Sequence, residues 1–151
     1  MWSARFKAVI IFIGSGFDTF SARSLGDVEK RLESANVTVY SLGTGSALRT
    51  YYSPYLDMSD EMDLLQARAF LTMLADKSGG DAWFPNFETA FHDAMEGVMQ
   101  DMATQYKLVV KGAIPADGRF HKIKVEAFTV TNDKRKDFKV RVREGFRSPL
   151  T

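Results

Sequence analysis

The sequence contains no cysteine, which excludes disulfide bonds, cysteine–zinc sites and thiol catalysis. Histidine is scarce: the two residues, His92 and His121, lie far apart in the chain, which argues against a histidine-rich metal cluster. No apolar run approaches the ~20 residues that a membrane-spanning helix needs. Neither sign of charge is in large excess, and the net charge of +1 gives no global attraction to nucleic acid or membranes.

Apolar residues, in contrast, are abundant. They make up 45% of the 151 residues, with 12 phenylalanines and 7 methionines, which is typical of a globular chain and not of a disordered one. A chain of this length can bury one substantial core. We therefore expect a single folded body.

The first apolar run is Phe6–Ile13, interrupted only by Lys7. A run rich in Val, Ile and Phe predicts a strand buried on both faces of a parallel sheet. It is followed by a Gly/Ser turn and an Asp-Thr pair, the pattern that forms a binding rim at the carboxyl ends of strands. With the next strand end, the candidate rim residues are Ser15, Gly16, Asp18, Thr19, Gly43 and Thr44.

A helix and a second strand follow. Ser24 and Asp27 fit a capping box at the helix start, and Asn36 is expected to end the helix in a left-handed conformation. Val37–Leu42 is a short β-branched strand that stops at Gly43–Gly45. A helix between two apolar strands predicts a βαβ unit with parallel strands.

Residues 46–58 read as irregular, with Ser59 capping a second helix that ends at Gly79. Ala82–Pro85 reads as a very short third strand. Asn86 is then expected to cap a third helix. The apolar positions of that helix form one stripe at helical spacing, which predicts a core-facing helix. The stripe consists of Phe87, Ala90, Phe91, Ala94, Met95, Val98, Met99 and Met102.

The remainder of the chain has strand character. Tyr106–Lys111 reads as one strand, and Phe120–Thr131 and Phe138–Arg143 read as two strands joined by Asn132–Arg135. Apolar and charged residues alternate along the last two, as in an antiparallel pair with one buried and one wet face.

Seven short segments occur in an order known from one protein family. They are Ile13–Thr19, Val37–Tyr40, Gly43–Gly45, Gly79–Pro85, Gln105-Tyr106, Asp117–Val125 and Gly145-Phe146 to Pro149. In this order and spacing the chain resembles the carboxyl-terminal half of a von Willebrand factor A-type (VWA) domain, in particular the VWFA-related proteins of Acidobacteria. The resemblance extends from about Phe6 to Pro149, nearly the whole chain.

The resemblance implies an α/β fold. We expect half of a doubly wound, Rossmann-like parallel sheet with helices on both faces, plus a C-terminal antiparallel β-hairpin. Residues 1–111 would form the partial VWA-like domain, and residues 112–151 a hairpin extension packed on it. The family mediates protein–protein contacts at cell surfaces, which implies an exported protein, although Met1–Arg5 does not read as the start of a signal peptide. The compartment is left open.

Metal binding is not expected from this chain alone. VWA domains hold a divalent cation with an Asp-x-Ser-x-Ser loop and with a Thr and an Asp from later loops. No Asp-x-Ser-x-Ser occurs here, and the family's metal-site Asp in the first turn falls on Ser15. Asp18 is a weak candidate ligand. We therefore expect no cofactor, with Mg²⁺ or Ca²⁺ bound only if the missing half-domain is supplied.

The function that these residues favour is a non-enzymatic protein–protein interaction or adhesion-type module with a degenerate metal site. The alternative is a nucleotide- or phosphate-binding enzyme that uses the Gly14–Thr19 loop, since a Gly-Ser-Gly turn can hold a phosphate at a helix N-terminus. This loop lacks the full P-loop pattern and its lysine. No nucleophile–base pair stands out, so the first interpretation is preferred.

The same resemblance predicts self-association. In a VWA domain the strand that matches Phe6–Ile13 lies in the middle of the sheet, and one of its neighbours would come from the absent half. An uncovered apolar strand favours pairing with a second copy. The residues of this dimer edge are Lys7, Val9, Ile11 and Ile13. A homo-oligomer, most simply a dimer, is expected together with an unidentified protein partner, but no nucleic acid and no membrane span.

Overall fold

The computed structural model of the chain describes residues 8–17, 24–109 and 116–149. The strands in these ranges are β1 (Ala8–Gly14), β2 (Val37–Gly43), β3 (Ala82–Trp83), β4 (Phe120–Lys122), β5 (Ala127–Thr131), β6 (Lys134–Phe138) and β7 (Gly145–Arg147). The helices are α1 (Leu25–Ser34), α2 (Gly45–Tyr52), α3 (Met58–Ser78) and α4 (Glu88–Ala103), with a 3-10 turn at Ser53–Tyr55.

Three parallel strands form the central sheet in the order β1-β2-β3. The pairing of β1 with β2 is continuous, from Ala8 opposite Val37 to Gly14 opposite Gly43. The short β3 pairs with β2 through two residues, Ala82 and Trp83. The predicted parallel sheet, interleaved with helices, is confirmed.

The middle strand β2 separates two apolar clusters because its side chains alternate between the two faces of the sheet. On one face Val39 packs with Leu32 of α1 and Leu74 of α3. On the other face Tyr40 and Leu42 pack with Ala94 and Val98 of α4. Helices therefore cover both faces of β2, as expected for a doubly wound sheet.

Strand β1 differs from the prediction of a strand buried on both faces. It lies at the edge of the sheet, and four consecutive side chains are well exposed: Ile10 (49%), Ile11 (38%), Phe12 (37%) and Ile13 (52%). The composition of the run is that of a central strand, but among the described residues no strand pairs with its outer edge. Phe6 and Lys7, also assigned to this strand and its edge, lie outside the described residues.

Helix α1 begins as predicted. The Asp27 N–H donates to Ser24 Oγ (3.2 Å), and the Ser24 N–H donates to the Asp27 carboxylate (3.3 Å), which completes the capping box. The end of the helix differs, because Ala35 caps it in an extended conformation (φ −81°) and Asn36 is not left-handed. No left-handed residue is needed there because the chain enters β2 directly.

The segment 46–58, expected to be irregular, is mostly helical: it contains α2, the 3-10 turn and the start of α3. Asp57, and not Ser59, caps α3, since its carboxylate accepts from the N–H groups of Ser59 (2.7 Å) and Asp60 (3.0 Å). Gly79 ends the helix with φ +80°, as predicted. Although α3 has 21 residues, none of the described helices is long and apolar enough to cross a membrane.

Helix α4 buries only the middle of its apolar stripe. Ala94 and Val98 are buried and Phe91 packs beside them, but Phe87 and Met99 are each 60% exposed. The stripe packs against Val9 of β1, Tyr40 and Leu42 of β2 and Trp83 of β3, and this narrow surface covers only the central turns of the helix. The predicted Asn86 cap is wrong: Phe87 occupies the cap position without a side-chain hydrogen bond.

The C-terminal part forms two antiparallel pairs, β4 with β7 and β5 with β6. The predicted strand boundaries are wrong. The left-handed residues Asn132 (φ 50°) and Asp133 (φ 60°) make a two-residue turn, so the second hairpin strand already starts at Lys134 and ends at Phe138. Positive φ at both central residues matches the twist of a tight hairpin.

Two further predicted strands of this region differ from the structure. The predicted strand Phe120–Thr131 is divided into β4 and β5, with residues 123–126 in neither. Residues 106–109 of the predicted strand Tyr106–Lys111 are not in a strand, and its last two residues lie outside the described ranges. The C-terminal part contacts the helical layer through Arg143, whose guanidinium donates to the carbonyls of Ala35 (3.2 Å) and Glu33 (2.9 Å) at the end of α1.

Candidate functional site

The carboxyl ends of β1 and β2 lie side by side and form a rim. Gly14 is opposite Gly43, and the Thr44 N–H donates to the Gly14 carbonyl (3.0 Å). The chain then enters α2 at Gly45, where an added Cβ would lie 3.5 Å from the Ser15 carbonyl oxygen. The structure thus brings together the predicted rim residues Ser15, Gly16, Gly43 and Thr44. Asp18 and Thr19 lie outside the described residues.

Gly16 fixes how the β1 end approaches α3. Its φ is +84°, and an added Cβ would lie 2.8 Å from the Ala67 carbonyl oxygen and 3.0 Å from the Leu71 side chain. A larger residue would meet both a backbone penalty and a steric one. The glycine therefore allows the loop to pack directly on α3.

Beside this rim, α2 and α3 enclose a small open cleft of about 490 Å³, part of which is open solvent. Its polar lining consists of Ser15, Ser46, Arg49, Glu61 and Arg68. Leu64, Leu65 and Phe84 provide the apolar part. Sequence reasoning missed the residues of α2 because segment 46–58 was assigned no helix. The apolar residues Ala47, Leu48, Tyr51 and Tyr52 recur at i, i+1, i+4 and i+5, a helical period that could have identified it.

Arg68 is supported by an aromatic platform. Its Cζ atom lies 4.1 Å from the centroid of the Phe84 ring, a cation–π distance. The ring in turn lies against the end of β2, where a Cβ at Gly43 would come within 2.5 Å of it. Because Gly43 has no side chain, the Phe84 ring can lie against the end of β2. The ring in turn supports the Arg68 guanidinium at the cleft.

The charge of the cleft lining is positive. Arg49 Nη2 lies 3.3 Å from Glu61 Oε1, and both side chains are about half exposed. Arg68 is the second guanidinium in the cleft lining. Among the described residues, no carboxylate lies within ion-pair distance of Arg68. Two guanidinium groups against one carboxylate favour an anion over a cation.

The described rim residues do not fit a divalent cation. Mg²⁺ requires near-octahedral oxygen ligands, usually with carboxylates among them. The rim offers hydroxyl groups from Ser15, Thr44 and Ser46, while Glu61 is engaged by Arg49. Within the described ranges, no group of three or more His, Asp or Glu side chains is arranged to hold a metal.

Neither histidine lines the cleft. His92 is exposed on α4 and lies 3.3 Å from Glu96, and His121 contacts Asp117 (3.1 Å) in the C-terminal part. The Ser15 hydroxyl accepts from the Phe17 N–H (3.3 Å). Neither histidine is therefore next to a serine hydroxyl of the cleft, where it could act as the general base of nucleophilic catalysis.

The outer edge of β1 is the second candidate site. In the parallel register Val9, Ile11 and Ile13 share one face of the sheet with Thr38, Tyr40 and Leu42 of β2. Ile10 and Phe12 share the opposite face with Val39 and Ser41. Apolar side chains thus stand exposed on both sides of a strand whose outer backbone groups have no partner in the described part of the chain.

No protein-family model, curated protein or solved structure matches this chain. The functional interpretation therefore depends on the two features above, the outer edge of β1 and the cleft beside the rim. They lie on different parts of the molecule, since one is a strand edge and the other is formed by α2 and α3.

Proposed function

We propose that this chain is a non-enzymatic protein–protein interaction module, a VWA-like half-domain that pairs with a second copy of itself through the outer edge of β1. The observation that carries the proposal is the combination of an open strand edge with exposed apolar side chains on both faces of the same strand. The proposal involves no metal and no chemical step.

The backbone of β1 provides the first argument. An edge strand presents a row of N–H and C=O groups, and natural proteins protect such edges with charges, proline, bulges or a covering segment. The described β1 sequence, Ala8–Gly14, contains no charged residue and no proline, and its register with β2 is continuous. It is therefore well suited to pair with another strand.

The side chains provide the second argument. Ile10 and Phe12 stand on one face, and Ile11 and Ile13 on the other, all more than one third exposed. Helices cover β2 on both faces but leave these residues in contact with solvent. Contiguous exposed apolar surface of this kind marks sites of protein association.

A second copy is the partner that fits both features. Two β1 strands related by a twofold axis would pair antiparallel, which satisfies both open edges and joins two three-stranded sheets into one of six strands. Each exposed apolar side chain would then lie opposite an apolar side chain of the other copy on the same face. Such an interface would be of the apolar, obligate kind, with roughly 2,000 Å² or more buried.

The resemblance to VWA domains supports the same arrangement. In that fold the strand matching β1 has a neighbour on each side. This chain supplies one of them, β2, and the twofold partner would supply the other. A self-complementary strand edge is thus a way to complete a sheet that is built only in part.

Sedimentation velocity and light scattering at micromolar concentration test the proposal. The expected mass is twice 17.0 kDa. Ile11→Lys places a charge in the proposed interface, and we expect it to aggregate or unfold instead of giving a clean monomer.

Val130→Lys is the matched control. Val130 is also an exposed apolar strand residue (59%), but it belongs to the β5–β6 hairpin, so the variant should keep the mass and thermal stability of the parent. A stable, well-folded monomer at all concentrations would refute the proposal, as would an Ile11→Lys variant that dimerises normally.

A further inference from the structure

The cleft beside the rim has a charge and a shape that the proposed strand pairing does not use. We infer that it is a binding site for a small oxyanion, a phosphate or carboxylate group, with Arg68 as the main binding residue. This inference is independent of the β1 edge, because the cleft is formed by the Ser15 loop, α2 and α3.

The presentation of Arg68 is the first reason. An arginine stacked on an aromatic ring loses rotational freedom but keeps the N–H groups at the edge of its guanidinium available. Here Phe84 supports the guanidinium from one side at 4.1 Å. The ring itself is fixed by its close approach to Gly43. The cation is therefore held in place before a ligand arrives, which lowers the entropic cost of binding.

The remaining polar groups are the second reason. The hydroxyls of Ser15 and Ser46 line the same cleft and can donate to an oxygen acceptor. Arg49 adds a second guanidinium, whose carboxylate partner Glu61 limits its contribution. A planar carboxylate or a phosphate matches the fork of an arginine, whereas a cation would meet net positive charge.

The size of the cleft limits the ligand. The volume of about 490 Å³ includes open solvent, and the cavity that remains for a ligand is about 70 Å³. Bound nucleotides and cofactors usually occupy pockets of roughly 300–1,000 Å³ that enclose most of their surface. This cleft encloses too little for a whole nucleotide, so the site is expected to recognise the anionic group alone.

The experiment is an NMR titration of the ¹⁵N-labelled chain with sodium phosphate and, separately, with sodium acetate, at constant ionic strength maintained with chloride. Saturable shifts of the Ser15, Gly45 and Ser46 amides are expected with at least one of the two anions. Which anion binds more tightly identifies the group that the cleft recognises.

Arg68→Gln should weaken the binding roughly tenfold, as expected for loss of a charge-assisted hydrogen bond. Arg119→Gln makes the same change of charge at an exposed residue next to β4 and should leave the affinity unchanged. The proton spectrum of each variant verifies folding. The inference is wrong if neither anion shifts these amides at millimolar concentrations, or if the affinity is the same in Arg68→Gln as in the parent.

Discussion

Arg147 of β7 is bound to Glu33 of α1 through two nitrogen atoms on one carboxylate oxygen. Nη2 lies 2.6 Å and Nε 3.0 Å from Glu33 Oε2. The third guanidinium nitrogen, Nη1, donates to the Gly118 carbonyl (3.0 Å). One side chain thus joins α1, β7 and the loop before β4, and the Glu33 side chain is only 12% exposed.

Glu33→Ala should therefore destabilise the protein measurably. Loss of hydrogen bonds to a charged group that is partly buried costs about 1.5–3 kcal/mol. Urea unfolding followed by circular dichroism gives the free energy of unfolding. Glu96→Ala is the control, since Glu96 forms an exposed pair with His92 and should change stability by less than about 0.5 kcal/mol. Equal effects of the two variants would show that the Arg147–Glu33 contact contributes no more stability than the exposed Glu96–His92 pair.

The hydrogen bonds of the Asp117 carboxylate predict that the stability of the fold depends on pH in the acidic range. Ser148 Oγ donates to its carboxylate (2.7 Å), as does the Arg119 N–H (2.9 Å), and His121 Nε2 lies at 3.1 Å. These hydrogen bonds, with that from Ser148 as the largest contribution, hold the pKa of Asp117 well below its ordinary value of 3.8. A carboxylate with a depressed pKa in the folded state stabilises the fold above its ordinary pKa.

This stabilisation should be lost as the pH falls from about 4 towards the lowered pKa, because the unfolded chain then takes up a proton more readily than the folded one. Asp117→Asn should show a shallower loss of stability below pH 4 than the parent. Asp93→Asn, which changes an exposed carboxylate on α4, should retain the dependence of the parent. Urea midpoints measured across this pH range make the comparison, and identical acid profiles for Asp117→Asn and the parent would contradict it.

Helix α4 allows a test of the packing on the face of β2 that carries Tyr40 and Leu42. Phe91 packs against the cluster of Tyr40, Leu42, Ala94 and Val98, so Phe91→Ala should cost about 3 kcal/mol, the lower end of the usual range for a phenylalanine that is only partly buried. Phe87→Ala on the same helix removes a side chain that is 60% exposed and should cost less than about 1 kcal/mol. Thermal melts of both variants measure the difference. If they melt together, the stripe of α4 does not face the sheet as described.

Calorimetry with Mg²⁺ and Ca²⁺ should detect weak binding or none. The described rim residues provide hydroxyl groups, and the cleft beside them provides two guanidinium groups and one carboxylate that is paired with Arg49, a poor set of donors for a divalent cation. Asp18, which lies outside the described residues, is the carboxylate to test. A micromolar affinity that is lost in Asp18→Ala would show that the chain has a functional metal site.

Local patterns predicted part of this fold. The pairing of β1 with β2 follows from two apolar β-rich runs around a helix, and the capping box of Ser24 and Asp27 is a short-range signal. The hairpin boundaries were misplaced because they depend on two consecutive left-handed residues, Asn132 and Asp133, which the sequence shows only as turn formers.

Features that depend on distant parts of the chain were harder to predict. The burial of β1 was overestimated because a strand's composition does not reveal whether a neighbour is present at its outer edge. The cleft was missed because it needs α2, which was not recognised, and because Arg68 reaches its place through Phe84 and Gly43, which are distant in sequence. The rim residues Ser15 and Gly43 were identified because strand ends in a parallel sheet meet at one edge.

Site-directed cross-linking measures whether β1 of one chain pairs with β1 of a second copy. Because the chain has no cysteine, a single introduced cysteine gives the only disulfide that can form, a link between two chains. Cysteines are placed one at a time at each position from Val9 to Ile13, with Tyr55→Cys, at an 84% exposed residue of the 3-10 turn, as the control.

Directly opposed residues of an antiparallel pair have Cα atoms roughly 4.5–5.5 Å apart, within the range that a disulfide spans. If two β1 strands pair about a twofold axis, cross-linking should be rapid at the position on the axis, slower one or two residues away, and slight at Tyr55→Cys. Oxidation rates at all β1 positions no higher than at Tyr55→Cys, in a chain that remains folded, would contradict pairing through β1.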